Sequence, residues 1–534
     1  MRRMGSGRGS GQGSGHGMSL TRWAAIYAAF TLIAYQVPLY SYALQKVDPA
    51  GLLRWLNLFA LSGLQVILMV ALVGVLSLLG GLLMRLAAAV LLITNAFALY
   101  FMQTYNIEID RTMIGNILHT DPGESSGLMD WQMLLWIGPL GILPALVALG
   151  VRPRLPSWPR RLGFVAMTLL VLLGFAWSVS QTWPWFDANA TRLGGRVLPW
   201  NYVVNTARYY EKKLREEHEI LPLPDARVAP LAPGQRQIVV LVIGESARAQ
   251  NFSWYGYGAD TNAETRAAGF TALPASESCA TYTTAGVACI LSWQGRAAGE
   301  FSSDEPLPSF LTRHGIRTEV RVNNTGLPPL TVTRRLHSRD LQGQCTGGPC
   351  MDGMGDSRLL AGLDQLLADP SADRVFVVLH VTGSHGPAYS TKYPAGFGPF
   401  QPVCRTVQVA KCSHGELVNA YDNSIAYTDH LLASLSRMVA AVPGAESLIL
   451  YTSDHGESLG ENGLFLHGAP RVVAPEQQVM VPFLVWRNAA FARAHPVLRT
   501  DVAAQDAMFS SVMDAFGLSG GPYDPDRDIF APRP

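Results

Sequence analysis

Asp454 and His455 stand at the carboxyl end of a short apolar, β-prone run, within Leu450-Tyr451-Thr452-Ser453-Asp454-His455-Gly456-Glu457-Ser458-Leu459-Gly460-Glu461-Asn462-Gly463. A carboxylate beside an imidazole offers the oxygen and nitrogen ligands that a zinc ion takes. Leu466-His467-Gly468 follows and brings a second imidazole. Asp-His dipeptides arise by chance, so the pair gains meaning only from matching chemistry elsewhere. That chemistry stands at Gln237-Ile238-Val239-Val240-Leu241-Val242-Ile243-Gly244-Glu245-Ser246, a buried-type strand that runs into an acid. A third run, Arg374-Val375-Phe376-Val377-Val378-Leu379-His380-Val381-Thr382-Gly383-Ser384-His385-Gly386-Pro387, ends in His380 and His385. In an open α/β sheet, ligands sit beyond the carboxyl ends of strands. Glu245, Asp454 and His455 are therefore expected to converge on one metal. His380, inside its strand, reads equally well as a satisfied core histidine.

A nucleophile is offered by Ser276-Glu277-Ser278-Cys279-Ala280-Thr281-Tyr282-Thr283-Thr284-Ala285-Gly286-Val287-Ala288-Cys289. Hydroxyls are poor nucleophiles at their own pKa, and coordination to zinc activates them. A helix starting here would also turn its free amides towards a phosphoryl group. On these grounds Thr281, Thr283 and Thr284 are equal candidates, and each could simply cap a helix.

The elements that must carry these residues fall into two kinds. The chain has 534 residues, 49% hydrophobic and only 15% charged, and a positive mean hydropathy. The apolar residues concentrate in five runs near 23–43, 55–79, 83–103, 131–150 and 162–181, each about the 20 residues that cross a bilayer. Arg2, Arg3, Arg8, Arg22, Arg85, Arg152, Arg154, Arg160 and Arg161 mark one side. The connection between runs three and four carries Glu108, Asp110, Asp121, Glu124 and Asp130 instead. The positive-inside rule then places the arginines in the cytoplasm and exports everything after about Thr182.

All six cysteines, Cys279, Cys289, Cys345, Cys350, Cys404 and Cys412, lie in that exported part. An even count confined to one side fits an oxidising compartment. Clustering in twos favours Cys279–Cys289, Cys345–Cys350 and Cys404–Cys412, and the rival zinc-thiolate reading lacks a C-x2-C spacing. A net charge of +1 and the lack of a basic run give no footing to nucleic acid.

Residues 1–17 are Gly/Ser-rich and expected to be disordered, and Met18 could be the true start. The five-span region is expected over 18–182, a membrane-surface helix and Pro-rich linker over 183–235, and a catalytic domain over 236–534. The surface helix is placed at Asn201–Glu219, where aromatics and mixed charges alternate. Alternating strands and helices beyond it predict an α/β domain with a largely parallel sheet.

The strand ends, the cysteine-bracketed threonines and the Ser-Asp-His-Gly-Glu-Ser-Leu-Gly-Glu-Asn-Gly run together resemble the membrane-bound phosphoethanolamine transferases. These enzymes include lipid A modifiers of polymyxin resistance, and their catalytic domains share the alkaline phosphatase/sulfatase α/β/α fold. The resemblance runs from Met18 nearly to the end. It implies that Thr283 accepts phosphoethanolamine, and that Glu245, Thr283, Asp454 and His455 hold a catalytic Zn2+. His385 and His467 would bind substrate phosphate or a second zinc. Asn116, Thr120 and Glu124 match a pattern associated with the phosphoethanolamine substrate, although Thr120-Asp121-Pro122 also reads as a helix cap. Asn324 would contact substrate, but Leu327-Pro328-Pro329 replaces the lysine that the family carries after this segment. Asp260-Thr261-Asn262-Ala263 departs from the family's Asp-Thr-Asn-Pro.

What the resemblance implies is transfer from phosphatidylethanolamine to lipid A through a phosphothreonine-type intermediate. The expected place is the bacterial inner membrane, with the catalytic domain in the periplasm, in contact with membrane lipids and acting as a monomer. Rival readings are a phosphoglycerol transferase, transfer to another envelope glycan, and a non-catalytic sensor holding zinc. A sulfatase would need a Cys/Ser-x-Pro-x-Arg setting, which Thr283-Thr284-Ala285-Gly286-Val287 does not offer.

Overall fold

The computed structural model describes residues 18–47, 52–119, 131–216, 220–298, 303–344, 350 and 355–532. Thr120, Glu124, Cys345 and the 1–17 tail lie outside the described residues. The chain forms two compact units, one of Met1–Met102 with Trp131–Asn201, the other of Gln103–Asp130 with Tyr202–Pro534.

Among the described residues four helices are long and apolar enough to cross a membrane: Arg54–Leu78, Gly81–Tyr105, Trp131–Gly150 and Trp158–Ser178. Only 11% of the last window is buried within the protein, so its leucines face outward, as a lipid-covered helix requires. The expected first span is not one straight helix. Leu20–Tyr35 and Val37–Lys46 meet at a 65° bend, and the two count as a fifth span only when taken together. The cause is local: Pro38 sits in the first turn of the second helix, has no N–H for the Ala34 carbonyl four residues back, and its ring crowds that oxygen, so the run bends here instead of continuing as one straight helix. The buried Gln36 at the break donates to Leu198 O.

The second unit is built on a seven-stranded sheet. Its strands, with the short flanking pairs, are β1 (Arg227–Val228), β2 (Arg236–Gly244), β3 (Thr271–Glu277), β4 (Arg317–Val322), β5 (Arg334–His337), β6 (Arg374–His380), β7 (Ala445–Ser453), β8 (Ser458–Leu459), β9 (Phe465–Leu466), β10 (Met480–Arg487) and β11 (Leu518–Ser519). The sheet order is β3-β10-β7-β2-β6-β4-β5. The stretch β7-β2-β6-β4-β5 is parallel, and β10 runs antiparallel to both β7 and β3. Strands β2, β6 and β7 are apolar along nearly their whole length because both faces are buried, the pattern of parallel strands covered by helices.

On one face Val239, Leu241 and Ile243 of β2 pack with Val287 and Ile290 of the helix Thr283–Leu291 and with Met508 and Val512 of the helix Ala504–Ala515. The long helix His414–Ala440, started by a Ser413/Glu416 capping box, buries Leu417, Tyr421 and Leu431. The three parallel strands β7, β2 and β6 thus end side by side. Their register pairs Gly244 with Ser453 and Ile243 with His380, so the residues that follow each strand are delivered to one place.

Candidate active site

Glu245, Asp454 and His455 are all fully buried at these strand ends. The helix Thr283–Leu291 sets its first residue over them. It comes close because Gly286 has no side chain; a Cβ there would lie 2.5 Å from Asp454 O. Thr283 Oγ1 donates to Glu245 Oε2 at 3.1 Å and lies 3.4 Å from His455 Nε2. His455 Nε2 is 3.4 Å from Glu245 Oε1 and 3.4 Å from Asp454 Oδ2. The other ring nitrogen, Nδ1, is 2.8 Å from Gly456 O and must carry the proton, which leaves Nε2 as a lone pair facing the oxygens.

The donor set fits a zinc ion. Zinc holds oxygen and nitrogen ligands at about 2.0–2.2 Å, which sets tetrahedral ligand atoms about 3.3–3.5 Å apart. Asp454 spends Oδ1 on the Ser246 and His455 amides, at 3.2 and 2.7 Å, while its buried Oδ2 accepts no hydrogen bond. A buried carboxylate oxygen without a partner is costly. Both carboxylates instead face the His455 ring.

Burial pushes the Asp454 carboxyl well above the usual carboxylate range, and the adjacent Glu245 pushes the same way. Burial also opposes ionisation of Glu245, but His455, His385 and His467 outweigh it and hold that carboxyl down. Burial brings His455 down to about 3, so the ring is neutral, the form that binds metal. A divalent cation would take the place of the proton that burial keeps on Asp454.

His467 joins the cluster, with ligand atoms of Glu245, His455 and His467 all within 4.8 Å of one another. Its ring centroid lies 4.4 Å from that of His455 and 5.1 Å from that of His385, so His467 contacts both other imidazoles. Asn324 reaches the site through Glu245, donating to Oε2 at 2.7 Å. His380 stands apart, fully buried and 3.4 Å from Asn324 Nδ2, with a pKa lowered to about 4 by burial. Asn116 packs beside Gly468, the residue after His467. Disulfides join Cys279 to Cys289 and Cys404 to Cys412, the first bracketing the threonine loop. Cys350 is also disulfide-bonded, and Cys345 lies outside the described residues.

Two residues in the site were not singled out from sequence. Glu457 is fully buried and holds His467 Nδ1 at 2.7 Å, while Tyr389 donates to its other oxygen at 2.5 Å. Its place in the Asp454–Gly463 motif was visible, but its partner His467 comes from beyond the turn. Ser246 adopts left-handed backbone, φ 54. Its hydroxyl donates to Glu245 Oε1 at 2.8 Å and lies 3.4 Å from His467 Nδ1. Its neighbour Glu245 drew attention by charge, whereas a backbone angle leaves no mark in sequence.

Residues 237–518 match the Sulfatase family, and residues 66–214 match the family described as Phosphoethanolamine transferase EptA/EptB. Phosphoethanolamine transferase EptA of Helicobacter pylori is 34% identical over 500 residues, 92% of each chain. Phosphatidylethanolamine transferase Mcr-1 of Escherichia coli is 32% identical over 452 residues, 80% of this chain and 83% of the other. The solved structure of the integral membrane protein lipooligosaccharide phosphoethanolamine transferase A from Neisseria meningitidis superposes with a TM-score of 0.86 at 26% identity. It covers 96% of this chain and 99% of that one. The chain belongs to the phosphoethanolamine transferase family.

Proposed function

We propose that this phosphoethanolamine transferase takes phosphoethanolamine from phosphatidylethanolamine onto Thr283 and passes it to a phosphate of lipid A. The observation that carries the reading is the Thr283 hydroxyl held between Glu245 Oε2 and His455 Nε2. The donor is suggested by the name of the Escherichia coli relative, and a lipopolysaccharide-type acceptor by the name of the Neisseria meningitidis structure.

Glu245, Thr283, Asp454 and His455 would hold Zn2+. The ion would lower the pKa of the Thr283 hydroxyl and offset charge on the phosphoryl oxygens. Thr283 Oγ1 already donates to Glu245 Oε2, so Glu245 takes the proton as Oγ1 attacks phosphorus. The bond to the diacylglycerol oxygen breaks, and that oxygen leaves with a proton from His385 or His467 in its protonated form. His385 and His467 would bind phosphoryl oxygens or a second zinc, and one of them would give that proton. In the second half-reaction a lipid A phosphate oxygen gives its proton to the imidazole that lost one and attacks the same phosphorus, and the Thr283 oxygen leaves with the proton held on Glu245. A covalent relay of this kind gives ping-pong kinetics.

The substrates are lipids, so the catalytic unit needs the membrane helices of the same chain. In this reading Asn116, Thr120 and Glu124 recognise the donor headgroup, with the Glu124 carboxylate suited to its ammonium. The protein acts as a monomer in the inner membrane with residues 236–534 in the periplasm. The arginines of the short loops support this orientation, as do disulfides confined to the second unit.

Mass spectrometry of lipid A from cells with and without the protein tests the reading. Phosphoethanolamine added to lipid A only by the intact protein is the expected result. Unmodified lipid A, with the increment on another envelope glycan, would change the acceptor. No increment anywhere would remove the reading.

A further inference from the structure

The segment that follows the helix Gly81–Tyr105 belongs to the second compact unit. Asn106 Nδ2 donates to Gly463 O at 3.0 Å, on the turn that leads to His467. The helix Arg111–His119 then packs against Gly468. A Cβ on Gly468 would lie 2.5 Å from Asn116 Nδ2 and 3.1 Å from Met113 Cε, and Gly468 itself has φ +86. Only glycine suits both the approach and the backbone angle.

The peptide groups of Gly468 are held from two sides. Its carbonyl lies 3.0 Å from Thr112 Oγ1. Its amide donates to Thr281 O at 2.8 Å, and the Thr281 hydroxyl donates to the next carbonyl, Ala469 O, at 2.7 Å. The Thr112 hydroxyl proton is shared with Asp110 Oδ1 at 2.7 Å, and the same oxygen caps the helix by accepting the Met113 amide at 2.9 Å. The cap therefore fixes the rotamer that points Thr112 at Gly468. His467 immediately precedes the gripped residue, and Thr283 follows Thr281 by one intervening residue.

We propose that Thr112 is a positioning residue for the transfer reaction. Its hydroxyl fixes Gly468 O, which sets the His467 ring against Glu245 and His455. Through the Gly468 amide it also steadies the loop that carries Thr283. The inference rests on the reading of Thr283 as nucleophile and His467 as a substrate-side group. Its chemical content is a link from a segment between two membrane helices to the reacting atoms, made without touching substrate. A shift of the order of 1 Å at reacting groups costs up to about 100-fold in rate, so one hydrogen bond at this point matters more than its share of stability.

The test uses the full-length, zinc-loaded protein in detergent and a soluble chromogenic phosphoethanolamine ester, which separates the chemistry from access to lipid. Thr112→Val keeps the shape and removes the hydroxyl; Thr112→Ser restores it. The valine variant should lose about 10- to 100-fold in kcat with KM within about twofold, at unchanged zinc content. The serine variant should recover most of the rate. Hydrogen exchange at the Gly468 amide, a readout independent of turnover, should be faster in the valine variant and normal in the serine variant. A valine variant with wild-type kcat and wild-type exchange would overturn the proposal. So would a serine variant as slow as valine, or a loss of rate that merely follows a lowered Tm. If the wild type itself left the ester uncleaved, the parent reading would fall instead.

Discussion

Thr283 Oγ1 and His455 Nε2 lie 3.4 Å apart although 172 residues separate them in the chain. The helix that begins at Thr283 and the strand β7 that ends before His455 share no local sequence. They meet because both pack against β2, whose own end supplies Glu245.

The first consequence is for Thr283. Thr283→Ala should abolish lipid modification and the phosphoethanolamine adduct on the protein while leaving Tm near wild type. Thr283→Ser keeps a hydroxyl but loses the methyl that faces Gly326, where an added Cβ would lie 3.2 Å from Thr283 Cγ2; it should retain a weak activity. Thr281→Ala breaks only the bond to Ala469 O and should be milder. Peptide mapping of protein trapped with donor alone would show the adduct. An adduct that survives in Thr283→Ala would move the nucleophile elsewhere.

The Asp454 pair gives effects of opposite sign. Asn at 454 keeps an oxygen for the Ser246 and His455 amides, and its Nδ2 stands in for the protonated carboxyl that burial enforces in the metal-free protein. Metal-free Asp454→Asn should therefore be at least as stable as metal-free wild type, and its advantage should grow as pH rises, because the wild-type carboxyl then loses its proton on unfolding and the amide does not. The same change should sharply weaken zinc binding and stop turnover. Chelation should silence the wild type, and added Zn2+ should restore it. Metal content by atomic spectrometry and Tm with and without chelator check both halves. A variant with full zinc occupancy would refute the ligand assignment.

Ser246 separates backbone strain from side-chain chemistry. A non-glycine residue in left-handed backbone costs about 1–3 kcal/mol, and a buried hydrogen bond contributes about 1. Ser246→Gly relieves the first and loses the second, so its Tm should stay near wild type or rise. Ser246→Ala loses the bond and keeps the strain, so it should be destabilised by about 1 kcal/mol. Both remove the hydroxyl that orients Glu245 Oε1, and both should bind zinc more weakly in chelator competition. Normal zinc affinity in Ser246→Gly would show the hydroxyl to be incidental.

The sequence made the parallel strands legible because they are buried on both faces and so read as unbroken apolar runs: Ile238–Ile243, Val375–Leu379 and Leu448–Tyr451 fall within β2, β6 and β7. It also marked the membrane helices, whose apolar length is set by the bilayer. The bend at Gln36 was less visible, since one proline in an apolar run is compatible with a straight helix. In the site, Glu245, Asp454 and His455 showed themselves by residue type at strand ends. Glu457 and Ser246 act by what they hold, His467 and Glu245, and holding is a property of the folded geometry. Gly468 sits in the same His-Gly that drew attention to His467, yet its contact with Asn116 joins positions hundreds of residues apart. No pattern in one sequence connects them.

Gly286 sets two principles against each other. It lies inside the helix Thr283–Leu291, where glycine is less favourable than alanine by about 1 kcal/mol; helix propensity alone predicts that Gly286→Ala stabilises. The packing predicts the reverse. The added Cβ would lie 2.5 Å from Asp454 O, 3.0 Å from its carbonyl carbon and 3.1 Å from its Cβ. These are backbone and near-backbone atoms at the end of a central strand and cannot swing aside. Overpacking of this sort costs about 1–3 kcal/mol, against the gain of about 1 kcal/mol from propensity, so the net effect should be destabilising by up to about 2 kcal/mol. Relief would come by lifting the helix off the strand end, which moves Thr283 away from Glu245 and His455. Gly286→Ala should therefore lower Tm modestly and lower kcat far more than Tm, with KM little changed. Thermal melts and steady-state kinetics on the same preparation check it, and a variant more stable than wild type with full kcat would mean that the helix does not rest on Asp454.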